Sequence, residues 1–578
     1  MSSNSTVLQI DLAAGVIRKW KETYRWIPIF GAVAAISMAF SVGANNLPAP
    51  FSTPVGSGAL TLLQASIMAC VIYVPGAAFA SNSTVNALFS DFIAEKQPNE
   101  GFLMWSLVVV LVTATLWLVL ATCFELPVSS QQSTQGALLG TMLVTEGFSF
   151  IPLWNKNENH NFNGGGLLWI FLEWTVAPLI ACALSFCLFS VLKTCLLPQE
   201  NAEKRVHIFI PIYYGIAAGL LCLFVVYEVL PNFVTVYKWA NIVAILVATL
   251  IGALLSLVVV VPFARKRFDT TFKTIKKRNS LKQQGIESQD HQTCDAKEGE
   301  GEFEVAFKDF MQMRVLDTVY EEDERSWASP EKIAECEQAQ SNTGQSTHFK
   351  QLLESTPNHL VQSRSFRKIE KTSAKENALS FIRGFTKFTL FPVIEHDRHT
   401  LIRHALAEKF DEIEDFLLIQ SANEVAAIMS PFAAIEDVYA YRAKYSGNGK
   451  DLGDLEVSWW FRAVGGLSAS AGFFLCGWRL TQCLGGKLTY ISNSRGMMSQ
   501  LTTVATIIFV TRMKLPVSSV HAFVGSLVGV GIADDYRNVN WKLLVKFLCG
   551  WVITILFCCT VAYGMYSFTL YSPAYVVP

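Results

Sequence analysis

The sequence predicts an all-α, polytopic membrane protein built from two related halves. Three observations carry this expectation. Hydrophobic residues make up 51% of the 578 residues and charged residues only 16%, against about a quarter in ordinary soluble domains. Apolar stretches of bilayer-crossing length recur along the chain. Two short stretches that membranes disfavour each occur twice, in the same order.

A hydrocarbon core is crossed by about 20 apolar residues in helical form. Residues 27–47, 60–80, 103–124, 167–192, 208–229 and 240–263 meet that length in the first half, and 416–439, 459–484, 497–513 and 541–566 in the second. With the irregular segments between them, about ten to twelve transmembrane helices are expected. Ahead of the first span, residues 1–26 form a polar tail with no cleavable leader. Span 416–439 contains Glu424, Glu436 and Asp437, so it must face protein or water rather than lipid.

Between the halves the composition changes abruptly. Residues 264–405 are charged and poor in large apolar side chains, the signature of a largely disordered loop. The loop opens on Arg265, Lys266, Arg267, Lys273, Lys276, Lys277 and Arg278 directly after a span, which places it in the cytosol. The division is therefore a first repeat with connecting helices over 27–263, the loop over 264–405, and a second repeat over 406–578. Cysteines such as Cys222, Cys549, Cys558 and Cys559 lie within apolar runs and read as small buried hydrophobes.

The repeat is explicit in the residues. "LPVSSQQSTQGALLGTM" begins at Leu126 and "LPVSSVHAFVGSLVGVG" at Leu515, with Gly136 matching Gly525 and Gly140 matching Gly529. "GANNLPAPFS", from Gly43, aligns without gaps to "SANEVAAIMS", from Ser421. Asn45 then matches Asn423, Asn46 matches Glu424, and Ser52 matches Ser430. Secondary transporters are often made of two repeats, commonly inverted, whose interrupted helices meet at the bilayer midplane. Free N–H groups and the positive dipole end of a half-helix suit an anion. All four stretches are accordingly expected to be interrupted and to converge, the Leu-Pro-Val-Ser-Ser pair as two re-entrant helical hairpins.

These motifs also resemble a known family. "GANNLPAPFSTPVGSGALTLLQA" is similar to the signature G-A-N-D-V-A-N-x-F-G-T-x-V-G-S-G-x-x-T-L-x-Q-A of the inorganic phosphate transporter family (PiT, solute carrier family 20). "SANEVAAIMSP" resembles its second-half counterpart, and the Leu-Pro-Val-Ser-Ser stretches resemble its P-[IV]-S-[TG]-T-H hairpins. "GGKLTYISNSRGMMSQL" resembles the stretch before the second hairpin. The likeness covers both membrane halves and not the loop. It implies an inverted-repeat symporter that moves inorganic phosphate by alternating access, coupled to sodium or protons. It also implies an N-terminus outside and the loop inside. That needs an odd number of crossings before the loop, where six spans are counted and the first hairpin region is the candidate for one more.

The departures fall on the chemistry. The family aspartate is Asn46 in the first half and Glu424 in the second; the hairpin threonine is Gln131 or Val520, and the histidine is Gln132 or the retained His521. Asn46 offers a carbonyl oxygen without charge, while Glu424 keeps the charge on a longer arm. The expected substrate contacts are Ser129, Ser130, Gln131, Ser518, Ser519, Asn45 and Asn423. The expected coupling-ion contacts are Asn46, Glu424, Ser52, Ser430 and Thr53. No further cofactor is expected, and the partners are inorganic phosphate and the lipid bilayer, with a homo-oligomer open. Glu125 is expected at the membrane interface. A related oxyanion such as sulfate, or a phosphate sensor or receptor without transport, is the alternative. Net charge of −1 gives no reason to expect nucleic acid, and no P-loop or metal-hydrolase spacing points to an enzyme. The expected address is the plasma membrane, with an organelle membrane open.

Overall fold

The structure is a computed structural model and describes residues 15–56, 60, 62–80, 100–147, 167–195, 202–230, 238–262, 411–441, 457–489, 491, 493–513, 517–534 and 536–571. The expected loop 264–405 lies outside the described residues. Among the described residues every regular element is a helix.

In chain order these are α1 (Trp26–Asn45), α2 (Pro48–Gly56), α3 (residues 62–80, with a wide turn at Ala69–Tyr73), α4 (Glu100–Cys123), α5 (Ser130–Glu146), α6 (Leu167–Cys195), α7 (Ala202–Phe224) and α8 (Lys238–Leu255). After the loop come α9 (Asp411–Ala440), α10 (Trp459–Cys476), α11 (Trp478–Gln482), α12 (Asn493–Arg512), α13 (Ser519–Asp534) and α14 (Trp541–Leu570). All ten sequence-predicted spans appear as helices. Seven are long and apolar enough to cross a membrane by themselves. The other three, α9, α10 and α12, carry buried polar and charged groups such as Glu424, Arg462 and Gln500, which only a protein-lined interior tolerates.

The expected interruption occurs in one motif copy and not in the other. In the first, the chain turns at Asn46–Leu47 between α1 and α2. Pro48 and Pro50 sit in the opening turn of α2, where a missing N–H costs nothing. In the second copy, "SANEVAAIMS" lies inside the continuous α9, whose proline comes only at Pro431. That corrects the expectation of four interrupted stretches, because Val-Ala-Ala-Ile offers no reason to stop a helix.

Each Leu-Pro-Val-Ser-Ser stretch adjoins an antiparallel helix pair, the second with only its residues 517–519 described. The first pair is α4 and α5. The second is α12 and α13, tied by the Thr503 and Ser526 hydroxyls at 2.7 Å and by the Arg495–Asp534 ion pair. The matched glycines set the packing. A Cβ on Gly140 would stand 2.2 Å from the Cys559 carbonyl oxygen on α14, and one on Gly529 would stand 2.2 Å from that of Cys182 on α6. Gly136 meets Ile555 and Gly525 meets Pro178, so each tip helix runs parallel to the long helix it leans on.

Directions follow from the ends. Lys193 near the end of α6 pairs with Asp534 at the end of α13, and α14 begins just beyond, where Trp541 donates to the Tyr536 carbonyl at 3.0 Å. So α6 and α14 run in opposite directions, and so do α5 and α13. Trp26 packs on Trp105, which donates to Thr569 near the far end of α14. Val261, by contrast, clusters with Leu192 and Met497 at the Lys193 end. The start of α1 and residue 262 therefore lie at opposite ends of the bundle. An odd number of crossings between them would have this arrangement.

Candidate functional site

All four repeated stretches meet at one carboxylate. Glu424, on the unbroken α9, is almost wholly buried. Its Oε2 accepts from Asn46 Nδ2 at 2.6 Å and from the Ser130 hydroxyl, and its Oε1 accepts from the Ser519 hydroxyl at 2.7 Å. Asn46 comes from the break between α1 and α2, Ser130 from the first turn of α5, and Ser519 from the first turn of α13. The site thus joins residues as much as 378 positions apart. Three donors around a buried carboxylate compensate the lost hydration that would otherwise make it untenable there.

The serines before these two act differently. Ser129 and Ser518 cap the helices, accepting from the backbone N–H groups of Gln132 and His521, each at 3.4 Å. Capping leaves other first-turn N–H groups and two positive helix ends directed at one region from opposite sides. Gln131 is buried on the same turn as Ser130.

Asn45 holds the tip rather than facing Glu424. Its Nδ2 donates to the Leu126 carbonyl at 2.9 Å and to the Thr122 hydroxyl at 3.1 Å, while its Oδ1 accepts from the Val128 N–H at 3.0 Å. The side-chain amide pairs with the main chain of residues 126–128 as a backbone peptide would. Its counterpart Asn423 lies on α9, with its side chain outside the described residues. Ser52 donates back to the Ala49 carbonyl at 2.9 Å, and Thr53 accepts from Gln500, which also donates to the Pro50 carbonyl at 2.7 Å. Ser430 is buried six residues beyond Glu424, and its hydroxyl meets no partner among the described residues.

Several participants escaped the sequence reading. Gln420 donates to the Asn46 carbonyl at 2.8 Å and so staples the break to α9; its position four residues before Glu424, on the same helix face, was the available signal. Gln500 stands in the quoted "GMMSQL" but was not singled out. Trp551, whose Nε1 donates to the Pro127 carbonyl at 2.9 Å, gave no signal at all. Tyr73 lies within electrostatic reach of Glu424.

The donor set suits a small hard cation. Beside the Glu424 carboxylate, Asn46 Oδ1 and Gln420 Oε1 are buried oxygens with no partner among the described residues, and so is the Tyr73 hydroxyl. Neutral oxygens around one carboxylate are what sodium takes, and the carboxylate alone can take a proton.

Glu125 lies outside this centre. It stands at the turn after α4 in the left-handed region (φ 57°) and pairs with Lys487 at 2.7 Å and Arg479 at 3.0 Å. Burial by itself pushes its carboxyl up, but the charges and hydrogen bonds of Lys487 and Arg479 outweigh this and hold it below the usual range.

The chain is also similar to known proteins. The model of the phosphate transporter family matches residues 42–562. The phosphate-repressible phosphate permease of Neurospora crassa is 24% identical, covering 92% of this chain and 95% of its own length. The sodium-dependent phosphate transporter of Plasmodium falciparum is 23% identical, covering 96% and 98%. A solved structure of a sodium-dependent phosphate transporter superposes with a TM-score of 0.57 at 20% identity, covering 94% of this chain and 98% of that one. The shared fold and the apolar helices make this a multi-pass integral membrane protein.

Proposed function

Because the chain belongs to the phosphate transporter family, we propose that it moves inorganic phosphate across a membrane as an ion-coupled symporter working by alternating access. One observation carries the reading. Ser130 and Ser519, from helices that leave the centre in opposite directions, both donate to the same buried Glu424.

The arrangement supplies a physical reason for coupling. Glu424 and an incoming anion compete for the same hydroxyl donors. A bare carboxylate keeps both serines and repels the anion. A cation on Glu424, either sodium or a proton, cancels that charge and frees the hydroxyls to turn toward the anion. Each ligand then raises the affinity for the other, which is the thermodynamic content of symport. The two tips, approached from opposite ends as an inverted repeat would have them, give each side of the membrane its own entry. The serine hydroxyls and first-turn N–H groups of α5 and α13 would replace the water stripped from the anion.

The test is uptake of radiolabelled phosphate by vesicles holding the purified full-length protein, with an inward sodium gradient, an inward proton gradient, or neither. Saturable uptake driven by one gradient is expected. Uptake that fails to saturate under every gradient, beside a working relative, removes the transport reading.

A further inference from the structure

Gln132 and His521 occupy the same place in the two Leu-Pro-Val-Ser-Ser stretches, the third residue of α5 and of α13. Their side chains meet across the junction, Gln132 Nε2 lying 3.2 Å from His521 Nδ1. Both residues are fully buried. The imidazole lies against the Trp551 indole, ring centroids 3.9 Å apart, and Trp551 is itself fixed by its bond to Pro127. The pair is therefore held in one geometry, on the same two helical turns whose serines face Glu424.

This contact leaves two atoms over. Gln132 Oε1 and His521 Nε2 are buried and meet no partner among the described residues. Turning the Gln132 amide over does not change the account. If its NH2 donates to Nδ1, a carbonyl acceptor and an Nε2–H donor remain. If its oxygen accepts from Nδ1–H, an NH2 donor and an Nε2 acceptor remain. With a neutral ring, at least one donor and one acceptor are left in either case. Buried groups of this kind are costly unless something complementary meets them.

A tetrahedral oxyanion without a proton brings acceptors only. One that carries a hydroxyl brings both an acceptor oxygen and a donor O–H. We propose that the Gln132–His521 pair is a specificity element that reads this hydroxyl, so that the site accepts hydrogen phosphate and refuses sulfate. The proposal rests on the reading that an anion binds between the α5 and α13 N-termini, and it names the class of anion. Sulfate would set a lone pair against the surviving acceptor, and sites built to bond a substrate hydroxyl reject analogues lacking it by on the order of 10⁴-fold.

The experiment uses the full-length protein in vesicles, with arsenate, sulfate and selenate competing against radiolabelled phosphate. Arsenate, which carries a hydroxyl, is expected to compete at concentrations like those of phosphate. Sulfate and selenate should need at least about 100-fold more, within the range such sites reach. Gln132→Met and His521→Phe keep shape but remove the donor and acceptor. Each should shrink the phosphate-to-sulfate ratio at least about tenfold, chiefly by weakening phosphate. His521→Gln, whose amide can still pair and leave one donor and one acceptor, should keep the ratio. Anion-dependent thermal stabilisation in detergent reads the same ratios without flux, so a variant that binds but does not transport is still informative. Sulfate competing as well as arsenate in the unaltered protein overturns the proposal. So does a Gln132→Met ratio equal to that of the unaltered protein, because the pair then holds a structural water only. Phosphate that neither moves nor stabilises the unaltered protein removes the transport reading and this proposal with it. Phosphate uptake that ignores the variants removes this proposal alone.

Discussion

The two copies of the central motif have the same alignment and opposite roles. "GANNLPAPFS" is broken at Asn46–Leu47 and supplies a neutral donor, whereas "SANEVAAIMS" stays helical and supplies the charge of Glu424 at the centre. The tips, by contrast, remain alike: both cap with the first serine, both point the second at Glu424, and both lean on a long helix through paired glycines. Repetition thus preserves the devices that position donors, while the charge has come to rest on one side. An unbroken helix is the stiffer mount for a lone carboxylate, and the broken one can bring its amide to it.

The largest expected effect follows from that asymmetry. Glu424→Gln keeps the volume and an acceptor oxygen but removes the charge that a cation would neutralise there. Gradient-driven phosphate uptake should fall by at least about 100-fold, the loss of some 3 kcal/mol of coupling, while the variant stays folded by thermal denaturation. Uptake that keeps its gradient dependence would assign Glu424 a structural role. Moving charge to the other copy sharpens the comparison. Asn46→Asp replaces a donor 2.6 Å from Glu424 with a second carboxylate, and like charges that close cannot both ionise without a cation between them. The variant should lose stability without sodium and regain it with sodium. A melting temperature indifferent to sodium would mean that this side cannot be restored by one residue.

The tips should respond to damage as a matched pair. Gly140→Ala and Gly529→Ala both drive a methyl into a backbone carbonyl, Cys559 in one case and Cys182 in the other. Each should cost about 1–3 kcal/mol, the range for overpacked cores, read as a drop in melting temperature of the detergent-solubilised protein. Clearly unequal losses would break the equivalence of the two tips.

What was legible in the sequence was what local composition encodes. Apolar runs marked the helices, and matched residues marked the four stretches that converge, including Asn46, Glu424, Ser130 and Ser519. The continuity of α9 was legible too in its Val-Ala-Ala-Ile and was overridden by analogy with the first copy. What stayed hidden were the contacts between distant segments. Nothing local said that Leu126 and Val128 would take the Asn45 amide. Gln420, Gln500 and Trp551 acquire their roles only when helices from opposite halves pack. Asn45 offers a test: Asn45→Leu should cost about 1–3 kcal/mol by leaving the Leu126 carbonyl and Val128 N–H unpaired. It should reduce uptake by disordering the tip, with little change in the concentration of phosphate that half-saturates whatever transport survives. A large rise in that concentration would return Asn45 to the binding site.

The smallest effect tests whether the asymmetry of charge extends to the tips themselves. Glu125 follows α4 in the first tip and is held by Lys487 and Arg479 from the second half, whereas Lys514 stands at the matching sequence position in the other copy. Because the folded protein holds this carboxyl below its usual range, its contribution is complete above the unfolded carboxylate value of about 4.3. The contribution is lost as pH falls through the lower folded value. Both basic partners are substantially exposed, so the stake is modest, about 0.5–1 kcal/mol. Glu125→Gln should lower the melting temperature slightly at pH 7, less so in high salt, since exposed pairs are screened. The variant and the unaltered protein should converge as the solution is taken below about pH 4. A difference that persists undiminished in acid would mean that the turn at Glu125, and not its charge, ties the first tip to the second half.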